Sequence, residues 1–267
     1  MDNKKIKFGV VGVGYLGKHH VKHLSQFDFV DLIGIYDVNQ KLMAEIAETY
    51  AVPYSKSLNS LLQQADAVSI VTPTNYHFEI TNQALKHDCH VFIEKPITDS
   101  IELADQMLAL LIKKKKVGHV GHIERFNPAF KAFMKQKPNP LFLECHRLTK
   151  INNRSMDISV VLDLMIHDID LVIQIINAPI KEIIADGISV LSNNIDLANV
   201  KLMFENGAVA NLTASRISSK DMRKIRVFEN KKYTSVDLLN KEVVEYSANS
   251  LNAKNLTFNH ENITVKN

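Results

Sequence analysis

The 267 residues include no tryptophan, two cysteines, seven prolines and nine glycines. Cys89 and Cys145 lie far apart and show no metal-ligand spacing. A disulfide framework and a thiolate metal site are therefore not expected, and two reduced thiols in a cytoplasmic protein are. No apolar run reaches the length of a signal-peptide core or a membrane span, so neither secretion nor a membrane partner is expected. The formal net charge of +3 is spread along the chain, without a long basic arm. The one lysine run, at 113–116, falls where a helix should end and cations suit its dipole, so nucleic acid is not an expected partner. A G-x-S-x-G elbow is missing, which removes support for serine hydrolysis. His19 and His23 are four apart without a flanking acid, and His119 and His122 alternate with glycines, so no metal is expected there either. No internal repeat is visible.

The glycines that exist are concentrated where they count. An apolar strand (Ile6, Phe8, Val10, Val11) runs into Gly12-Val13-Gly14-Tyr15-Leu16-Gly17, and a helix and a second strand ending at Asp37 follow. Gly12 allows the tight turn, Gly14 lets a pyrophosphate approach the backbone, and Gly17 lets helix and sheet pack closely. The helix N-terminus offers free N–H groups to that pyrophosphate. Asp37 stands twenty residues beyond Gly17, where a carboxylate accepts from a ribose 2′-OH and repels a 2′-phosphate. NAD is thus the expected cofactor, ahead of NADP.

A hydrophobic content of 46% and a charged content of 23% suit a globular protein, and the length suits about two domains. The first helix should present Leu16, His20, Leu24 and Phe27 on one face. A second helix is expected from about Lys41, with Leu42, Ile46 and Tyr50 inward, then a short strand at 52–54 and a helix at 58–64. Residues 67–71 are near-continuously apolar, as in a strand buried on both faces. A helix over 76–86, a strand over 90–93, a helix from Asp99 with Glu102 in a capping box, and a strand over 117–122 complete the first half. This alternation means a doubly wound parallel sheet with ligands at the carboxyl ends of its strands. The candidate cofactor contacts there are Gly12, Gly14, Tyr15, Leu16, Gly17, Asp37, Thr72, Pro73, Asn75, His77, Glu94 and Lys95.

Beyond Asn127-Pro128 the texture changes. Residues 141–150 read as extended and 160–176 as an apolar helix. Ala198, Val200, Leu202 and Phe204 alternate up to an Asn206-Gly207 turn. Residues 226–229 and 233–238 read as another hairpin pair. The fold class is therefore α/β: a Rossmann domain over 1–122, then an α+β domain over 123–267 with a mostly antiparallel open sheet. Residues 249–267 are polar, asparagine-rich and expected to be loosely ordered.

Removing hydride from an alcohol requires a base for the hydroxyl proton and a donor for the oxygen. Lys95, placed at the end of a buried strand, can donate; the alternative is an ordinary surface lysine. Asp163 and His167 are four apart on a helix and share a face, with Asp170 added by spacing. His167 can take the proton and Asp163 can orient the ring or hold a hydroxyl. The alternative is a satisfied buried Asp–His pair. Asp168 should point elsewhere, where it could merely be solvated.

Gly12 to Gly17, Thr72-Pro73, Glu94-Lys95-Pro96 and the Asp163–His167 pair together resemble the glucose–fructose oxidoreductase/inositol dehydrogenase/MocA family, over essentially the whole chain. The resemblance implies that Lys95 and His167 are the catalytic pair, that Asp163 holds a sugar hydroxyl, and that the Lys95–Pro96 bond is cis. Gly121-His122-Ile123-Glu124-Arg125-Phe126-Asn127-Pro128-Ala129 resembles the branch acting on nucleotide-linked amino sugars in lipid A or surface-polysaccharide pathways, including UDP-N-acetylglucosamine 3-dehydrogenases. On this reading Arg125 holds a phosphate or carboxylate and Asn127 a hydroxyl or amide. Arg125 pairing with Glu124, or capping the domain junction, is the alternative. The resemblance also implies a homo-oligomer, dimer or tetramer. Relatives run longer, with a C-terminal helix not seen here, and the link through Asn152-Asn153-Arg154 reads as shorter than theirs. A free-polyol dehydrogenase and an NAD-binding regulatory protein of reduced activity are the other readings.

Overall fold

A computed structural model of the chain describes residues 5–151, 158–248 and 258–264. Two compact units divide it, Met1–Gly121 and His122–Asn267.

In the first unit the elements follow as β1 (Ile6–Val11), α1 (Gly17–Leu24), β2 (Val30–Tyr36), α2 (Gln40–Tyr50), α3 (Leu58–Leu62), β3 (Ala67–Ile70), α4 (His77–Lys86), β4 (His90–Ile93), α5 (Ile101–Lys114) and β5 (Gly118–Val120). The sheet order is β2-β1-β3-β4-β5, and every pairing is parallel. Parallel neighbours need crossovers, which the helices supply. The order reverses direction between β1 and β3, and that switch point is where open α/β sheets bind ligands. All four residues of β3 are buried, as its near-continuous apolar run requires.

Some local expectations shift. α1 begins at Gly17 and ends at Leu24, so Leu16 and Phe27 lie outside it and are exposed, while Val21 is fully buried. Phe27 stacks instead on Phe29, with centroids 5.2 Å apart. In α2 the deepest residues are Met43 and Ala47, one position on from the expected stripe. The strand expected at 52–54 is a single bridge between Ile35 and Tyr54. α5 is capped by Ser100, whose Oγ accepts from the Leu103 N–H, rather than by Asp99.

The second unit is an eight-stranded sheet with helices α6 (Pro128–Met134) and α7 (Ile166–Ile176). Its strands are β6 (Phe142–Lys150), β7 (Ile180–Ile188), β8 (Leu197–Phe204), β9 (Val209–Ser218), β10 (Met222–Glu229), β11 (Lys232–Asp237), β12 (Glu242–Ala248) and β13 (Phe258–Thr264). Their order is β13-β12-β11-β10-β6-β9-β8-β7, and only the central β6–β9 pair is parallel. Ala198, Val200, Leu202 and Phe204 all face the core, as their alternation required. Gly207 takes φ +85°, which suits the turn between β8 and β9. The helix expected over 160–176 begins with a π turn, Val161–Met165, before α7. The loosely ordered tail expected over 249–267 contains strand β13; its remainder, like the Asn152-Asn153-Arg154 link, lies outside the described residues.

Both thiols are buried. Burial pushes Cys89 up to about 11 and raises Cys145 well above its ordinary value, so neither forms a thiolate near neutral pH.

Two carboxylate knots hold the second unit. Leu143, Cys145 and Arg147 all point inward from β6, which puts a guanidinium in the core. Arg147 donates from Nε (3.1 Å) and Nη2 (2.8 Å) to Asp168 Oδ1, and from Nη1 to Glu124 Oε1 at 3.0 Å. One side chain thus joins β6, α7 and the short 3₁₀ turn Ile123–Phe126. Asp168 is buried, contrary to the expected solvated position, because this cation awaits it. The second knot is Asp196. Its Oδ2 accepts N–H groups of Val190, Leu191 and Ser192 at 2.7–2.9 Å, and its Oδ1 accepts the Ser192 hydroxyl. The Leu191 and Ser192 N–H groups hold the Asp196 carboxyl well below the usual carboxylate range.

Arg147→Met leaves Asp168 buried without its cation and leaves Glu124 with only the longer contact to Arg223, at 3.6 Å. Urea unfolding should show a loss of about 3–5 kcal/mol, the usual cost of removing one partner of a buried pair. Asp196, with a depressed folded pKa, contributes stability that is complete above about pH 4 and disappears as pH falls through the folded value. Melting temperature followed from about pH 5 to pH 2 should therefore fall more steeply for the natural chain than for Asp196→Asn, which starts lower and lacks this component.

Candidate functional site

The glycine loop leaves β1 at the switch point. Gly12 has φ +87°, and a Cβ there would lie 2.7 Å from the Val71 carbonyl oxygen. A Cβ on Gly17 would collide with the Gly12 carbonyl, so the contact this glycine permits is with the loop itself. Gly14 differs: a Cβ there meets nothing within 4 Å. Space at the middle glycine and crowding at the outer two is the pattern expected when a ligand's phosphates occupy that space. No side chain caps the first turn of α1. Tyr15 and Leu16 are exposed on the same loop.

Asp37 closes the loop from the side. Its Oδ2 accepts the Val13 N–H and its Oδ1 the Asn39 N–H, both at 2.8 Å. Each oxygen keeps a lone pair for a further donor. Asn39 in turn caps α2 by accepting the Leu42 N–H.

At the end of β3, Thr72 Oγ1 is buried with no hydrogen-bond partner among the described residues. Such an atom invites a ligand donor or acceptor. Pro73 and Asn75 are exposed beside it. His77 has a different part from the one expected. It is buried, with Nε2 2.9 Å from the Thr72 carbonyl and Nδ1 3.0 Å from the Pro96 carbonyl. Both ring nitrogens lie against backbone carbonyls, to one of which the neutral ring donates, and so His77 sits between the β3 loop and the β4 loop.

The β4 loop carries Glu94-Lys95-Pro96, and the Lys95–Pro96 bond is cis, as the resemblance implied. Glu94 Oε2 accepts the Lys95 N–H at 3.2 Å. Glu94 Oε1 lies 3.1 Å from His20 Nε2, and His20 Nδ1 lies 2.8 Å from Ser69 Oγ. From periodicity alone His20 belongs only to a helix face. Its signal was available: a histidine in the first turn after the third glycine.

In the second unit, Asp163 lies in the π turn and His167 in the first turn of α7, both half-buried. Two further residues differ from expectation. Arg125 donates from Nε (2.8 Å) and from Nη2 to the two oxygens of Asp170. That bond raises the Arg125 pKa further, although its side chain is 42% exposed. A fork already closed on a carboxylate offers less to a phosphate. Asn127 caps α6 by accepting the Ala129 N–H and donates to Glu124 Oε2 and the Leu238 carbonyl. The amide is engaged by its own loop and by Leu238, because a residue before Pro128 at a helix start is ideally placed to cap. Asp168 and Asp170 are thus held by Arg147 and Arg125. Arg147 was not legible, since its partners lie 21 and 23 residues away.

The open space at Gly14, the uncapped helix start and the orphaned Thr72 hydroxyl fit a dinucleotide. Gly12, Gly14, Gly17, Asp37 and Thr72 would hold it, and it would accept or return a hydride.

Known proteins agree with this architecture. Residues 6–122 match the model of an NAD-binding Rossmann-fold oxidoreductase family, and residues 108–232 match the GFO/IDH/MocA C-terminal domain. A UDP-N-acetylglucosamine 3-dehydrogenase of Acidithiobacillus ferrooxidans is 37% identical over 88% of this chain and 75% of its own length. A solved structure of that enzyme superposes with a TM-score of 0.90 at 34% identity, over 98% of this chain and 84% of the other. A myo-inositol 2-dehydrogenase of Thermotoga maritima is 29% identical over 85% of this chain and 73% of its own. No helix among the described residues is long and apolar enough to cross a membrane. Matching models for both halves, and a 37% identical relative across most of the chain, show that this protein belongs to the Gfo/Idh/MocA family of oxidoreductases, with a nicotinamide-binding Rossmann domain.

Proposed function

We propose that the chain uses NAD to oxidise a ring hydroxyl of a nucleotide-linked amino sugar, of the kind exemplified by UDP-N-acetylglucosamine at C3. The observation that carries this reading is the 37% identity to a 3-dehydrogenase of that sugar over 88% of the chain. A nicotinamide bound at the glycine loop would supply the acceptor for the hydride leaving the ring carbon. His167 receives the hydroxyl proton, being the side chain whose ordinary pKa lies near neutrality. The Lys95 ammonium donates to the same oxygen and stabilises its developing negative charge. Asp163 holds the imidazole or a neighbouring hydroxyl. The Asp37 carboxylate accepts from the ribose 2′-OH and repels a 2′-phosphate, which favours NAD over NADP.

A free polyol such as myo-inositol is the second reading. The engagement of Arg125 with Asp170 favours it, since that guanidinium was the main donor expected for a phosphate. The inositol dehydrogenase relative supports it too.

The deciding measurement is absorbance of reduced nicotinamide with NAD and a panel of nucleotide sugars, free amino sugars and polyols. Lys95→Ala and His167→Ala should each lower kcat by about 10²–10⁴-fold while NAD affinity stays near its natural value. Near-natural turnover in either variant removes that residue from the chemistry. In the same assay the natural chain should prefer NAD, and Asp37→Ser should narrow the preference about tenfold or more through loss of the 2′-phosphate repulsion. A natural preference for NADP would overturn the cofactor assignment.

A further inference from the structure

We infer that His20 is a positioning residue for Lys95, acting through the Glu94 carboxylate; the inference rests on the proposed role of Lys95 as donor to the reacting oxygen.

Four elements of the first unit converge on Glu94. His20 comes from α1, Ser69 from β3, Glu94 and Lys95 from the end of β4, and Gly121 from the end of β5. Only 16% of the Glu94 side chain and 21% of the His20 side chain is exposed. An ionised carboxylate has only acceptors, so His20 Nε2 carries the proton between the two groups. In the neutral ring Nδ1 is then an acceptor, and the buried Ser69 hydroxyl donates to it at 2.8 Å. The imidazole edge is thus fixed from the far side. Its flank is fixed as well: the ring packs edge-on against Phe92, with centroids 5.4 Å apart, and Phe92 packs in turn against His119 at 5.3 Å.

Glu94 is pinned on a third side by something missing. A Cβ on Gly121 would lie 2.8 Å from Oε1 and 3.0 Å from Cδ. With His20 on one oxygen and the Gly121 backbone against the carboxyl group, the other oxygen is left facing the Lys95 N–H at 3.2 Å. A glutamate free to sample its rotamers would not stay there. The bond to the Lys95 amide fixes the backbone from which the ammonium is aimed. Because α1 also starts at the glycine loop, the same histidine ties the helix facing the dinucleotide to the loop bearing the donor. Misplacing a reacting group by about 1 Å can cost on the order of 10² in rate, so this tether belongs to the chemistry as much as to the fold.

Three variants separate this role from mere stability. His20→Ala removes the tether. His20→Gln keeps an N–H near the Nε2 position and gives up the Ser69 contact. Gly121→Ala leaves His20 untouched and pushes the Glu94 carboxyl aside; only a flexible side-chain end has to move, so the fold should be little affected. The first readout is hydrogen exchange of the Lys95 amide, followed by NMR in the full chain without cofactor. Protection should be strong in the natural chain and in His20→Gln, and should drop at least about tenfold in His20→Ala and Gly121→Ala, tracking local opening. The second readout is turnover. In His20→Ala and Gly121→Ala, kcat should fall about tenfold to a hundredfold, with NAD affinity within about twofold and His20→Gln largely rescued. Unchanged Lys95 protection in both disruptive variants overturns the inference. So does unchanged kcat there when Lys95→Ala is inactive, an outcome that leaves the proposed function standing. Near-natural turnover in Lys95→Ala instead overturns the proposed role of Lys95, and with it the catalytic part of this inference, while exchange at Lys95 still decides whether the tether exists.

Discussion

A carboxylate withdrawn from water must be met by donors, and this chain arranges much of its architecture around meeting that demand. Asp37 is met by backbone N–H groups of the glycine loop and of the α2 cap. Glu94 is met by an imidazole and the amide of Lys95. Glu124 and Asp168 share Arg147, and Asp196 gathers N–H groups from its own loop. In each case the partners come from different elements or from both sides of a turn. Satisfying the charge therefore fixes the path of the chain.

The first unit uses this device where ligands bind in α/β sheets. The switch point between β1 and β3 creates a crevice, the glycines keep it open at Gly14, and Asp37 defines its edge. His77 and His20 serve the next two loops from buried or half-buried positions, one lying against carbonyls of the β3 and β4 loops, the other holding Glu94. These histidines are organisers of the loops that carry Thr72 and Lys95. The second unit does the same for α7. Its acidic residues Asp168 and Asp170 are gripped by Arg147 and Arg125, which sets the rotation of the helix bearing His167.

Arg125 and Asn127 show that polar side chains in a motif string that marks the family also serve the fold. Both lie in a stretch that resembles the nucleotide-sugar branch, and both are polar side chains able to hold a substrate. In the fold each is within reach of a closer partner: Asp170 for the guanidinium, the α6 N-terminus and Glu124 for the amide. Local partners win because they are already desolvated and ordered, so bonding them adds little entropic cost.

The sequence by itself determined the Rossmann half: strand, glycine loop, helix and Asp37 are close in the chain, and period and spacing encode them directly. It also determined the alternation of β8, the Asn206-Gly207 turn and the spacing of Asp163 and His167, again local patterns. Only the tertiary structure decided which polar residues are committed. His20 reaches Glu94 across 74 residues, Arg147 reaches Asp168 across 21, and Asn127 reaches Leu238 across 111. Such pairings depend on which strands become neighbours in the sheets. No periodicity records that, because the free energy of a buried charge is settled by whatever the fold brings within 3 Å of it.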